Sequence, residues 1–139
     1  MVDTNVLVYA TRRASEFHAA SRQSLIEAIA AEERPCISRQ IMREYLAVVT
    51  WPQSGAVPFS MNKALARLEL FTTAMDILED GPAVTQVLIE LCRTVPICGR
   101  QIHRASIVAT MLAHGERRLL TFNTADFIRF TPGSELIRP

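Results

Sequence analysis

The chain has 139 residues, of which 49% are hydrophobic and 21% are charged, a composition typical of a globular protein with one core. Its formal net charge is +1, which excludes the global basic field that many nucleic-acid-binding proteins carry. No apolar stretch is long enough to cross a membrane, and no signal peptide is recognisable. We therefore expect a cytoplasmic protein with no membrane partner.

The first segment, MVDTNVLVYA, places the acidic residue Asp3 inside an apolar run that is rich in β-branched residues. This pattern predicts a buried strand that opens into a turn. A buried carboxylate is costly unless it is paired or coordinates a cation. Asp3 therefore needs a partner elsewhere in the chain.

Apolar residues at helical spacing, together with capping residues, predict most of the remaining elements. The predicted helices, in chain order, are 15–33, 38–52, a helix that begins at 60, 81–91 and 101–113, with Ser15, Ser38 and Ser60 as N-caps. The predicted short strands are 34–38, 75–78, 119–122 and 135–137, with a loop over 53–59 and a short helical piece within 123–130. Short strands that alternate with helices indicate an α/β protein whose parallel sheet is covered on both faces.

Several acidic or amide side chains are expected at one edge of that sheet, because ligands bind beyond the carboxyl ends of parallel strands. Asp3 lies near the end of the first predicted strand, and Asn123 and Asp126 follow the strand 119–122. Glu44 lies on the helix after the second strand, at the boundary of its buried face. Carboxylates brought together repel unless a cation neutralises them, and oxygen ligands suit Mg²⁺ or Mn²⁺. Taken singly, an aspartate at a strand end, such as Asp3, is most often a cap or a hydrogen-bonded turn residue, and a residue such as Glu44 is most often a solvated helix residue.

Four segments carry a family resemblance: DTNVLVYA (3–10), SRQIMREYLAVV (38–49), GRQIHRASIVATMLAHG (99–115) and LLTFNTADFIRF (119–130). In order and spacing they resemble PIN-domain proteins, specifically the VapC-like toxins of bacterial toxin–antitoxin pairs. The resemblance implies a single PIN-like domain over 1–139, built as a three-layer α/β/α sandwich with a central, mainly parallel sheet. It also implies a Mg²⁺- or Mn²⁺-dependent endoribonuclease that cleaves RNA, forms a homodimer and is inhibited by a cognate antitoxin protein.

The resemblance transfers catalytic roles to four residues: Asp3, Glu44, Asn123 and Asp126. Among them, the carboxylates of Asp3, Glu44 and Asp126 would bind the metal ion. Thr4 and Asn5, beside the first aspartate, would orient its carboxylate.

One position departs from the family pattern. Related proteins read close to Gln-Ile-His-Asp-Ala in the fifth helix, with the aspartate as a principal metal ligand, whereas this chain has Arg104 there. A guanidinium cannot bind a cation and repels it, so we predict much weaker Mg²⁺ binding. We expect Arg104 to pair with Asp3 or Glu44 and to fill the cation's place. An inactivating change, natural decay of a toxin and a contact with RNA phosphate are all compatible with the sequence.

Two other interpretations remain. The chain could be a catalytically inactive PIN-domain protein that binds RNA or antitoxin, and its loop arginines Arg12, Arg13, Arg117 and Arg118 equally fit RNA contacts or solvated charges. A small-molecule α/β enzyme is disfavoured, because the chain has neither a glycine-rich phosphate loop nor a nucleophile elbow.

Overall fold

The computed structural model describes residues 1–31, 34–52, 56–130 and 135–139. Its helices are α1 Thr4–Thr11, α2 His18–Ala30, α3 Arg39–Thr50, α4 Met61–Ala74, α5 Pro82–Thr94, α6 Gln101–Ala113 and α7 Thr124–Phe127. Its strands are β1 Cys36–Ser38, β2 Asp76–Leu78, β3 Arg118–Leu120 and β4 Glu135–Ile137. Helices and short strands alternate along the chain, as the sequence predicts.

The strands pair in parallel in two sets, and the N-terminal segment Met1–Asp3 joins them. Strand β1 pairs with β2, and β3 pairs with β4. The Val2 amide donates to the carbonyl of Cys36 on β1 (2.8 Å), whereas the Asp3 amide donates to the carbonyl of Leu120 on β3 (3.0 Å). The order across the molecule is therefore β2, β1, Met1–Asp3, β3, β4. The parallel α/β arrangement predicted from the sequence is confirmed.

The N-terminal prediction was wrong beyond Asp3. The apolar run continues as helix α1 rather than as a strand, because the Asp3 carboxylate accepts a hydrogen bond from the amide of Thr4 and caps the helix. Val6, Leu7 and Val8 are all buried. A short helix that is buried on most sides has the same uninterrupted apolar sequence as a buried strand, so periodicity cannot separate the two.

The predicted caps of α3 and α4 are present, whereas that of α2 is not. Ser38 Oγ accepts a hydrogen bond from the amide of Ile41, and Ser60 Oγ accepts one from the amide of Lys63. Helix α2 begins at His18, and Ser15 Oγ instead accepts a hydrogen bond from the amide of Phe17 in the preceding turn. The predicted end of that helix at 32–33, and residues 53–55 of the predicted loop, lie outside the described residues.

The core forms around the N-terminal segment and two groups of helices. Helix α1 packs against α2 and α3, α3 also packs against α4, and α5 packs against α6. The C-terminal half of α6 is buried, whereas Ile102 and His103 near its start are exposed. Helix α6 is thus central along half of its length and exposed near the carboxyl ends of the strands. Within the described ranges, no helix combines the length and the apolar character needed to cross a membrane.

The two serine caps provide a matched stability test. Ser38 is 2% exposed, so Ser38→Ala leaves the Ile41 amide buried without its acceptor and should lower the free energy of unfolding by about 1–2 kcal/mol. Ser60 is exposed, and water can replace its hydroxyl, so Ser60→Ala should cost only about 0.5 kcal/mol. Urea unfolding of both variants measures the difference, and an equal or greater loss in Ser60→Ala would contradict it.

Candidate active site

A cavity of about 680 Å³ lies where the N-terminal segment, α3 and α6 meet. Asp3, Thr4 and Asn5 line it from the start of α1, and Glu44 lines it from α3. The other polar residues in its wall are Arg100, His103, Arg104 and Asn123. The structure therefore brings most of the predicted site residues into one cavity, at the sheet edge where ligands of α/β proteins bind.

The Asp3 carboxylate is 6% exposed and accepts three hydrogen bonds. Its Oδ1 accepts from the Thr4 amide (2.7 Å), and its Oδ2 accepts from Thr121 Oγ1 (2.6 Å) and Asn5 Nδ2 (2.8 Å). The Asn5 side-chain oxygen in turn accepts from the Phe122 amide (3.3 Å). These contacts fix the carboxylate between the start of α1 and the end of β3.

Thr4 connects two of the three predicted metal-binding carboxylates, Asp3 and Glu44. Its amide donates to Asp3, and its hydroxyl donates to Glu44 Oε2 (2.8 Å). The other Glu44 oxygen accepts from Gln40 Nε2 (2.6 Å), which also donates to the carbonyl of His103 (3.0 Å). Glu44 is thus held from both sides, and two carboxylates face one cavity.

Burial raises the pKa of Asp3 from its ordinary value of 3.8 to about 6. The hydrogen bonds from Thr121 and Thr4 lower this pKa, the negative charge of Glu44 raises it, and the positive charge of Arg104 lowers it. The ionised carboxylate is therefore held at a cost to the folded state.

Arg104 does not pair with Asp3 or Glu44, so that prediction was wrong. Its Nη2 instead donates to Asp126 Oδ2 on α7 at 2.7 Å. Three donors already surround the Asp3 carboxylate, whereas the side chain of Asp126 is 41% exposed, so pairing there costs less desolvation. Position 104 nevertheless lines the cavity and faces the acidic pair.

The arrangement meets only part of what a divalent cation needs. Asp3 and Glu44 keep lone pairs beyond their hydrogen bonds, but the third predicted ligand, Asp126, is engaged by a guanidinium. Across the described residues, no group of three or more histidine, cysteine, aspartate or glutamate side chains is placed to hold a metal. The site in this form does not fit the expected three-carboxylate metal centre.

Two residues of this network were missed in the sequence. Thr121 is fully buried and donates to Asp3, and its hydroxyl accepts from the backbone amide of Asn123 (3.1 Å). Gln40 positions Glu44. The available signal for Thr121 was a hydroxyl residue within the apolar run 119–122. The signal for Gln40 was its position four residues before Glu44, on the same side of a helix.

These features define an α/β protein in which a buried aspartate, Asp3, and a half-buried glutamate, Glu44, lie together at the carboxyl edge of a parallel sheet. A family profile described as the PIN domain matches residues 1–131. Ribonuclease VapC48 of Mycobacterium tuberculosis is 30% identical over 115 residues, which cover 81% of this chain and 79% of that protein. The chain therefore belongs to the PIN domain family and is VapC-like.

Solved structures agree at the level of the fold. VapBC2 from Rickettsia felis, bound to a DNA fragment from its promoter, has a TM-score of 0.69 at 20% identity and matches 100% of this chain and 97% of that one. VapC20 of M. tuberculosis, a sarcin–ricin-loop-cleaving toxin, has a TM-score of 0.66 at 12% identity and matches 94% of this chain and 98% of that one. The PIN-like α/β/α sandwich expected from the sequence is confirmed.

The raised pKa of Asp3 predicts a pH dependence of stability. The folded state binds a proton more tightly than the unfolded chain, so the free energy of unfolding, compared with that of Asp3→Asn, should fall by about 3 kcal/mol as the pH rises from about 4 to above 6. Urea unfolding of both proteins between about pH 3.5 and about pH 8, a range that includes the unfolded and folded pKa values of Asp3, measures the change in this difference. The amide adds an offset that does not change with pH. A flat difference would show that the carboxylate is not destabilised by burial.

Proposed function

We propose that this protein is a VapC-like toxin: an endoribonuclease that cleaves RNA phosphodiester bonds with a divalent cation, Mg²⁺ or Mn²⁺, and whose cleavage is impaired by Arg104. The observation that carries the proposal is the pair of carboxylates, Asp3 and Glu44, joined through Thr4 in a cavity of a PIN fold. The naming of VapC48 as a ribonuclease supports RNA as the substrate.

In this proposal, hydrogen bonds from neighbouring residues hold the two carboxylates in place within the cavity. Thr4, Asn5 and Thr121 orient the Asp3 carboxylate, and Gln40 orients Glu44. The proposed catalytic residues are Asp3, Glu44, Asn123 and Asp126, and the three carboxylates among them are the proposed metal ligands. A divalent cation, when bound, would activate water and stabilise charge that develops on the phosphate.

Arg104 opposes cation binding in two ways. It neutralises Asp126 through a direct ion pair, and it places a positive charge in the wall of the same cavity. Two unit charges about 4 Å apart interact by about 4 kcal/mol at an effective dielectric constant near 20. Arg104 and Asp126 are 33% and 41% exposed, so solvent reduces this effect, but its sign is unfavourable for a cation.

The Arg104–Asp126 ion pair also favours a second candidate function. A PIN-domain protein that binds RNA or antitoxin without cleavage would keep the fold and the cavity and would not need Asp126 to be free for a cation. A phosphate is a natural partner for a guanidinium, so Arg104 would then contribute to binding rather than to cleavage.

The proposed partners follow from the same family. The VapBC2 complex supports a cognate antitoxin as a partner of this chain. A homodimer, a location in the cytoplasm and the organisation of 1–139 as a single domain stay predictions. The contiguous core, which includes residues from Met1 to Phe130, supports the single domain.

Cleavage of a labelled RNA panel with Mg²⁺ or Mn²⁺ tests the proposal. Arg104→Asp should cleave at least about tenfold faster than the unchanged chain, because it supplies a carboxylate and frees Asp126. Adding Asp3→Ala to Arg104→Asp should abolish this activity. Chelation of the cation should abolish it as well.

Arg22→Asp is the matched control, because it makes the same charge change at an exposed position of α2 that does not line the cavity. It should leave cleavage unchanged. Rapid cleavage by the unchanged chain would show that Arg104 does not impair the site. Absence of cleavage in both the unchanged chain and Arg104→Asp would favour the binding function.

A further inference from the structure

A second cavity, of about 660 Å³, is lined by four basic side chains: Arg12, Arg13, Lys63 and Arg67. We call it the basic pocket. Arg12 and Arg13 follow the end of α1, and Lys63 and Arg67 are one turn apart on α4. Among its described lining residues there is no aspartate or glutamate. In a chain of net charge +1, this is a local concentration of positive charge.

Two of the four cations in the basic pocket lie over an aromatic ring. The ammonium of Lys63 lies 3.9 Å from the centre of the Phe59 ring, and the guanidinium carbon of Arg12 lies 5.8 Å from it. None of the four basic residues forms an ion pair with another described residue. Their charges are therefore available to an anion.

Arg12 is the most firmly placed of the four. Its Nη2 donates to the carbonyl of Val48 (3.2 Å), while its buried Nε has no hydrogen-bond partner among the described residues. Arg12 shares the pocket with three other cations, whose mutual repulsion a bound anion would relieve.

The basic pocket adjoins the acidic cavity. Val8 and Tyr9 of α1 line both of them. Asp3 and Glu44 repel a phosphodiester, and Arg100 and Arg104 in the same wall offset that repulsion without reversing it, so cations nearby would help to hold a nucleic acid strand. A row of cations beside an aromatic residue is also the usual composition of a surface that follows a single strand.

We propose that the basic pocket binds backbone phosphates of the RNA whose neighbouring nucleotides enter the Asp3–Glu44 cavity. This inference rests on the proposed function for its substrate class. Arg13, Lys63 and Arg67 are exposed and contact the strand, whereas Arg12 is held at the floor of the pocket. The contacts are to phosphate and carry no preference for base sequence.

The test measures binding of a short, labelled single-stranded RNA in the presence of a chelator, so that no cleavage occurs. The double variant Lys63→Gln/Arg67→Gln removes two exposed charges and keeps residues of good helix propensity. It should bind about tenfold more weakly at about 0.1 M salt, and the slope of log K against log salt should fall by about 1.4, because each phosphate contact on a single strand contributes about 0.7.

The control is Arg22→Gln/Arg93→Gln, which removes the same charge from exposed positions on α2 and α5 outside both cavities. It should keep the salt slope of the unchanged chain, and thermal unfolding should show both double variants folded. Equal slopes in the two double variants would overturn the proposal. Polyglutamate that competes as effectively as unlabelled RNA would also overturn it, because it would indicate a surface for an acidic protein segment. Inorganic phosphate that competes as effectively at the same concentration of phosphate groups would overturn it as well.

This experiment and the cleavage assay fail independently. Loss of RNA binding in Lys63→Gln/Arg67→Gln, with no cleavage by Arg104→Asp, would retain the phosphate subsite and refute the proposed cleavage. Cleavage by Arg104→Asp with unchanged RNA binding in Lys63→Gln/Arg67→Gln would support the proposed cleavage and refute the phosphate subsite.

Discussion

The hydrogen-bonded carboxylate of Asp3 is the constraint on which both the fold and the site depend. The backbone amide of this residue joins the N-terminal segment to β3, and its side chain caps α1 and accepts a hydrogen bond from Thr121 at the end of β3. A buried charge held in this way is expensive, and its raised pKa reflects that cost. A structural role alone is met at lower cost by a neutral cap, so the retained carboxylate points to chemistry in the cavity.

Local chemistry made a large part of the fold predictable. Ser38 and Ser60 mark the starts of α3 and α4, and Pro82 at the start of α5 has the fixed backbone angle that a first turn prefers. The strand Glu135–Ile137 falls where the sequence predicts it. Helix α1 could not be predicted in this way, because burial on most of its surface removes the polar face by which a helix is recognised.

The candidate site was predictable in part of its membership but not in its pairing: Asp126 is not among the residues that line the cavity, and Thr121 and Gln40 were missed. The motifs around Asp3, Glu44 and Asn123 led to residues that line one cavity. The partner of Arg104 depends on the competition between a desolvated, fully hydrogen-bonded carboxylate and the more exposed Asp126, and that competition is decided by tertiary burial. The contribution of Thr121 likewise became visible only when β3 was placed beside the N-terminal segment.

Helix α1 lies between two cavities that differ in their carboxylates. Asp3 and Glu44 line one of them together with Arg100 and Arg104, whereas the described lining of the other has four basic residues and no aspartate or glutamate. Carboxylates repel a polyanion, so cations in the neighbouring pocket would help to hold it. Arg104 adds a positive charge beside the two carboxylates and pairs with Asp126.

The most direct test of this account is calorimetric titration of Mn²⁺ into the unchanged chain and into Arg104→Asp. We predict that Arg104→Asp binds the ion at least about tenfold more tightly and that adding Asp3→Ala removes this gain. Equal and tight binding of Mn²⁺ by both proteins would contradict the account, because it would mean that the guanidinium at position 104 does not compete with a cation for the acidic pair.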